Sequence, residues 1–347
     1  MTAPIDTLAR RRRALLLAVV QDFITTAEPV GSLHIASRYN LGVRAASVRS
    51  MMAELEEEGY LYQPHTSAGR VPTDRAFRYF VDNIVPNQRQ IGFQERTRIQ
   101  FHYSERTGGP AEVMRATSRL LALLTGQAAV VVAPRLESVV LERVNFVRVR
   151  PRHVLAIFVA IAGAIQNRLV ETDQDHSQDE LDRMSRYLNE CLNGRTLEAA
   201  RRWIEIALSE ERARYDGFAR AALSLGDAVM SRPAPAAEVY VEGNAKALDQ
   251  PEFSDVNRLK ELLRALEDKS ALLSLLERSL KESGLMVSIG SENFDARLID
   301  FGVVAAAYGG STALGSVAVV GPVRMDYGRV IPLVDYTARA LSRVLES

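Results

Sequence analysis

The chain has 347 residues, 47% of them hydrophobic and 25% charged. At about 100–200 residues per domain this is room for roughly two or three packed cores, and it excludes wholesale disorder. Lysine plus arginine equals aspartate plus glutamate at 43 each, so the body as a whole is no polyanion sponge, although a small module can still carry a local basic face. Cys191 is the only cysteine and the five histidines are scattered, which excludes an internal disulfide and a thiolate cluster. Neither metal nor cofactor is expected.

The N-terminus places a basic run, Arg10 to Arg13, ahead of an apolar stretch. That stretch, 14–20, meets Gln21-Asp22 after seven residues, with no small-residue cleavage site behind it. An amphipathic helix over 8–26 is expected rather than a signal peptide. Nowhere do about 18 apolar residues run together, so a soluble, cytoplasmic chain without a membrane span is expected.

Glu28-Pro29-Val30-Gly31 reads as a turn, and Ser32 as the N-cap of a short helix to residue 39. A third helix over 45–58 follows from Val48, Met51, Met52 and Leu55 at helical spacing. Tyr60-Leu61-Tyr62-Gln63 is strand-like, the loop 64–70 is polar, Val71-Pro72 returns, and Thr73 stands where it can cap a helix over 74–83. Three short helices and then a hairpin is the order of a winged helix-turn-helix, over 1–85.

Residues 86–110, with Pro86, Gly92, Gly108, Gly109 and Pro110, read as a linker whose middle, 93–103, can be helical. A helix over 111–124 and a strand over 128–133 precede strand runs at 139–149, 154–162 and 165–170, which suggest an antiparallel meander. The periodicity changes at His176. Ser177 to Glu180 resembles a capping box, and helical spacing continues to about 230 with breaks near Gly194 and Leu225. A proline- and alanine-rich connector at 231–237 leads to a short strand at 239–241 and one long helix over 256–283. Strands return at 285–289, 303–308 and 316–320, and a last helix spans 336–345. The fold class expected is a multidomain α+β protein: an α/β body over 111–175 and 251–347, interrupted by a helical subdomain over 176–250.

Residues 1–85 hold 10 arginines against 9 acidic residues, but the charges are segregated. Arg44 and Arg49 open the third helix, while Glu54, Glu56, Glu57 and Glu58 close it. A helix that enters the major groove presents its N-terminal half to the bases. Arg44, Ala46, Ser47, Arg49 and Ser50 are therefore the expected reading face, with Arg49 suited to a bidentate guanine contact. His65, Thr66, Ser67 and Arg70 form the expected wing, offering donors to phosphate. The bland alternative is an ordinary surface helix with solvated arginines.

Three segments are distinctive: Glu28-Pro-Val-Gly-Ser32, Val48-Arg49 leading into Met52-Ala-Glu-Leu-Glu56, and Gln63-Pro-His-Thr-Ser-Ala-Gly-Arg-Val-Pro-Thr73. A fourth lies near the C-terminus, Gly321-Pro-Val-Arg-Met-Asp-Tyr327 followed by Val330-Ile-Pro-Leu-Val-Asp-Tyr336. In these segments the chain closely resembles the HrcA family of heat-inducible transcription repressors. The resemblance implies a winged-helix domain, a GAF-like α/β domain and a dimerising domain inserted into the latter. It also implies a homodimer on an inverted-repeat operator in double-stranded DNA, ahead of groE- and dnaK-type genes, with activity supported by the GroEL/GroES chaperonin. This chain departs from the family at Ser50-Met51, where an Asn-Asp pair is usual. Ser50 lacks the bidentate adenine contact of asparagine, which bears on the operator sequence, and Met51 is expected to pack inward.

Rival readings are a chaperonin-associated interaction protein and a ligand-sensing regulator with another operator. The helical stretches 180–207 and 256–283 offer apolar stripes for self-association. Gly309-Gly310-Ser311-Thr312 reads as a tight turn, and no phosphate-binding loop occurs. Within Gly321, Pro322, Arg324, Asp326 and Tyr327, an Arg324–Asp326 ion pair is expected to fix the last strand. Cys191 reads as packing and Trp203 as a core or interface anchor. With no convergent acid, base or nucleophile, catalysis is not expected.

Overall fold

The computed structural model describes residues 10–84, 91–104, 109–134, 140–160, 165–209, 217–231, 238–243, 250–251, 256–281, 284–293, 295–309 and 313–346. The proline-rich connector at 232–237 and Gly310, Ser311 and Thr312 of the expected tight turn lie outside them.

The N-terminal body packs α1 (Arg10–Thr26), α2 (Ser32–Arg38), α3 (Ala45–Glu57) and α4 (Asp74–Ile84) around the two-stranded hairpin β1 (Leu61–Tyr62) and β2 (Val71–Pro72). Its core joins Leu15, Leu16, Val19 and Val20 of α1 to Ile35, Val48, Leu55, Phe77 and Phe80. Two expected caps differ. Gly31, with an extended backbone, precedes α2 and Ser32 is already helical. The Thr73 hydroxyl donates to the carbonyls of Gly59 and Tyr60 at 2.8 and 3.0 Å, which ties the hairpin to the end of α3 instead of capping α4.

The stretch expected to be linker contains α5 (Phe93–Ser104), which is part of the C-terminal packing. Ile99 is buried with Leu120, Leu124, Leu333 and Ala340, and the Tyr103 hydroxyl lies 2.8 Å from that of Thr117.

After α6 (Pro110–Thr125) comes a five-stranded antiparallel sheet. Its spatial order is β7 (Val239–Glu242), β3 (Ala128–Val132), β10 (Gly315–Pro322), β9 (Phe301–Tyr308), β8 (Leu285–Ile289). The apolar runs Ala-Ala-Val-Val-Val and Val-Val-Ala-Ala show no alternation because both sheet faces are covered. One face meets α6 and α12 (Tyr327–Glu346), and the other meets α10 (Val256–Glu267) and α11 (Lys269–Lys281). The single long helix expected over 256–283 breaks at Asp268, whose carboxylate accepts the amides of Ser270 and Ala271 and so caps α11. The last helix starts nine residues before the expected 336 and keeps Pro332 inside it. An internal proline costs about 3 kcal/mol, offset here by burial of Val330, Ile331, Leu333, Val334, Ala338 and Leu341.

Between β3 and β7, which are hydrogen-bonded neighbours, the chain leaves the sheet and returns. The excursion forms a second unit. The meander β4 (Leu141–Arg150), β5 (His153–Ala160) and β6 (Ile165–Glu171) is antiparallel as expected but makes its own sheet. Its inner face packs on α7 (Gln178–Leu192), α8 (Leu197–Ser209) and α9 (Gly217–Met230). The inserted unit therefore spans 141–230, not 176–250: the meander belongs to it, and residues 239–242 belong to the larger sheet. Period-two spacing reveals strands, but which sheet they join is a long-range matter. The Ser177–Glu180 capping box forms as expected, whereas Leu225 lies inside α9 and marks no break. The helix stripes expected to be free for self-association are buried in these two cores.

Candidate nucleic-acid interface

α3 divides by face and by end. Val48, Met52 and Leu55 are buried, Met51 packs partly against the same core, and Arg44, Ala46, Ser47, Arg49 and Ser50 are all exposed. Arg44 holds an extended backbone just before the first helical turn. Among the described residues Arg44 and Arg49 engage no carboxylate. The far end of the helix is occupied: Arg12 Nη1 lies 2.5 Å from Glu58 Oε1 and 3.5 Å from Glu54 Oε2. Arg13 bonds Asn83 of α4 and lies over the Tyr79 ring. Within the basic run, Arg12 and Arg13 thus act as internal clamps, and the N-terminal half of α3 is left as an exposed cationic and hydroxyl-bearing surface.

α2 is seated beside α3 by a buried carboxylate. Asp22 of α1, 2% exposed, accepts from Arg38 Nη1 at 2.9 Å and faces His34 Nε2 at 3.1 Å. Residues 34 and 38 are one turn apart on α2, so one acid fixes the rotation of the helix.

The hairpin loop explains the long motif from Gln63 to Thr73. Gln63 Nε2 donates to the carbonyls of Thr66 at 3.0 Å and Ala68 at 2.9 Å. Val30 and Arg70 exchange both backbone bonds at 2.9 Å, which joins this motif to Glu28-Pro-Val-Gly-Ser32. Gly69 lies against that junction: a Cβ there would stand 2.5 Å from the Val30 carbonyl. His65, Thr66 and Ser67 are left exposed at the tip. Arg70 departs from its expected outward role. Its Nη2 lies 2.8 Å from Glu56 Oε2 with the side chain 19% exposed, because the bridge to Val30 directs it back toward α3. Gln63, Gly69, Thr73 and Glu56 are the positioning residues that sequence reasoning missed. The only hint was a motif far longer than its exposed tip.

The C-terminal motif also serves other partners than expected. In place of an Arg324–Asp326 pair, Arg324 Nη1 donates to Ile24 O of α1 at 3.0 Å. Asp326 accepts the Arg329 amide at the start of α12 at 3.2 Å. Gly321 and Pro322 end β10, and a Cβ on Gly321 would meet the Gln127 side chain at 2.6 Å. Tyr327 is fully buried, and burial pushes its hydroxyl far above the ordinary tyrosine range. The cluster thus packs the end of β10 against α1 and the start of α12.

Burial likewise raises the Cys191 thiol, the opposite of nucleophile activation, and Trp203 packs partly against the core of the inserted unit. Among the described residues, no three histidine, cysteine or acidic side chains converge as metal ligands. No described helix is long and apolar enough to cross a membrane.

The chain is similar to known proteins over nearly its whole length. Residues 111–331 match the family model for the HrcA protein C-terminal domain. The heat-inducible transcription repressor HrcA of Geobacter sulfurreducens is 41% identical over 98% of both chains. That of Syntrophobacter fumaroxidans is 39% identical over 98% of both, and that of Sorangium cellulosum 41% identical over 97% of this chain and 98% of its own. A crystal structure of a hypothetical protein at 2.2 Å shares the fold, with a TM-score of 0.65 at 24% identity, covering 98% of this chain and 99% of that one. With 39–41% identity to these repressors across nearly the full length of both chains, the chain belongs to the HrcA family of heat-inducible transcription repressors.

Proposed function

We propose that this chain represses heat-shock operons of the groE and dnaK type by binding an inverted-repeat operator as a homodimer, without catalysis. The N-terminal body acts as a winged helix-turn-helix. Arg44, Ala46, Ser47, Arg49 and Ser50 face the major groove, and His65, Thr66 and Ser67 approach phosphate from the wing tip. The observation that carries the reading is the polarity of α3: exposed, uncommitted arginines at its N-terminal half, and acids engaged by Arg12 and Arg70 at the other. The five-stranded sheet body plays the GAF-like part.

The surface best suited to self-association is the outer face of the inserted meander. The strand register sets Val147, Leu155 and Leu169 in one row and Arg143, Val159 and Ile165 in another. Ile165 and Leu169 are 68% and 46% exposed, which is unusual for a sheet face that water would otherwise cover. A two-fold dimer supplies two reading heads for two half-sites. Support by GroEL/GroES would then act on the population of this dimer.

The test is fluorescence anisotropy at about 0.15 M salt with the chaperonin-promoter inverted repeat and a scrambled duplex, with and without GroEL. A preference of roughly a thousandfold, reduced by Arg49→Ala, is expected. Equal weak binding to both duplexes in either condition would favour a chaperonin-associated interaction protein instead.

A further inference from the structure

The N-terminal body is held to the sheet body by more than its tether. α4 turns Asp74, Phe77 and Arg78 toward the sheet, one helical turn apart, against the short turn Gly290–Glu292 that follows β8. Asp74 Oδ2 accepts the Ser291 amide at 2.8 Å. Gly290 has φ +55°, and a Cβ on it would lie 2.3 Å from the Asp74 carboxylate, so the turn closes onto α4 as glycine alone allows. Arg78 grips Glu292 with both ends of its fork, Nε to Oε1 at 2.8 Å and Nη2 to Oε2, and donates to Val287 O at 2.7 Å. Glu292 is itself held, accepting the Ile289 amide at 3.0 Å. Phe77 lies tilted against the buried Tyr327 with ring centroids 6.4 Å apart, and Arg324 reaches Ile24 O from another edge.

These contacts fix rotation as well as distance, because a bidentate guanidinium–carboxylate pair resists twisting and the others are displaced from it along α4 and α1. None of them involves residues 44–50, so the exposed face of α3 stays open while its direction is set. In a two-fold dimer, each base pair added between half-sites moves one of them by about 3.4 Å and turns it by about 35°. A head on a loose tether absorbs that change, and a clamped head does not.

The geometry points to Asp74, Arg78 and Glu292 as positioning residues that select the half-site spacing this repressor accepts. The assignment rests on the operator-binding function proposed above and deepens it.

The test uses the full-length protein. An inverted repeat is selected from a randomised duplex pool, and its spacer is then lengthened or shortened by one and two base pairs. The wild type should lose about tenfold or more in affinity for a one-base-pair change, on the scale of a mismatch in the site. Arg78→Ala, Glu292→Gln and Asp74→Asn should flatten that profile to within about threefold while binding a single half-site as the wild type does. The exchange Arg78→Glu with Glu292→Arg should restore part of the selectivity, which a fold-damaged protein would not. Variants that keep the wild-type spacing profile, or a wild type indifferent to spacing, would overturn this assignment alone. Failure to enrich any inverted repeat would overturn the repressor reading and this one with it.

Discussion

Arg70 Nη2 sits 2.8 Å from Glu56 Oε2, so the arginine of the wing is bound to the acidic end of the reading helix rather than turned to solvent. A partly buried ion pair of this kind contributes about 0.5–1 kcal/mol, and the packed stem of the arginine adds to it. Arg70→Ala should lower stability by roughly 1–2 kcal/mol and leave the salt dependence of DNA binding unchanged. Arg49→Ala should reduce that slope by about one unit if Arg49 meets phosphate, and relax base preference if it meets a guanine edge. Anisotropy titrations at several salt concentrations decide it. A slope that falls by about one unit in Arg70→Ala would mean that Arg70 leaves Glu56 for a phosphate on binding.

Gly69 is required by contact, not by its own backbone angle. A Cβ would lie 2.5 Å from the carbonyl carbon and oxygen of Val30 and 2.7 Å from that of Pro29, and backbone cannot swing aside as a side chain can. Gly69→Ala should part the Val30–Arg70 bridge and cost about 1–3 kcal/mol. Amide exchange should speed up at Val30 and Arg70, and operator affinity should fall through the wing with the α3 face intact. Unchanged protection at those two amides would rule the argument out.

What the sequence made legible divides along physical lines. The order of the first elements, the buried stripe Val48, Met52, Leu55 and the exposed set Arg44 to Ser50 follow from local spacing, and each stands where the periodicity puts it. So does the Ser177–Glu180 cap, a purely local device. The misplaced boundary at 176 has a different origin, since β4 to β6 and β7 have similar strand signals and differ only in their distant partners. The start expected at 336 for the last helix is late for a related reason: helix propensity is local, whereas the apolar face that carries Pro332 within the helix is completed by the sheet. Arg70 and Arg324 misled for the same reason: the sequence supplies the charge, and the fold chooses the partner.

The outer edge of β4 shows how a helix can stand in for a missing strand. Asn189 accepts the Val144 amide at 2.7 Å and donates to its carbonyl at 2.9 Å. Ser185 accepts the Phe146 amide at 3.0 Å, and Gln178 serves Phe146 O at 3.0 Å and the Arg148 amide at 2.9 Å. These residues share one face of α7 and quench backbone groups that would otherwise invite another strand. Asn189→Ala strands a partly buried amide and carbonyl, which should cost about 1–3 kcal/mol. Light scattering on warming should show earlier aggregation than for the exposed-face control Arg186→Ala. Equal aggregation onsets would show that the edge needs no such cover.

Acid should loosen the layer formed by α10 and α11 through Asp268. Its carboxyl is drawn down to about 2, first by the Ser270 hydroxyl, then by the Ala271 amide and by Arg297. Arg297 also grips Asp295, whose carboxyl is lowered for the same reason. A folded pKa below the unfolded value of about 3.9 means the contribution is complete above that value and lost as pH falls toward about 2. Asp268→Asn cannot titrate. The urea midpoint of the wild type should therefore exceed that of Asp268→Asn by a constant margin above pH 5, and the margin should shrink as pH falls from 4 toward 2. A margin that stays constant through that window would place the effect of the substitution in packing or capping geometry, and remove the charge on Asp268 from the account.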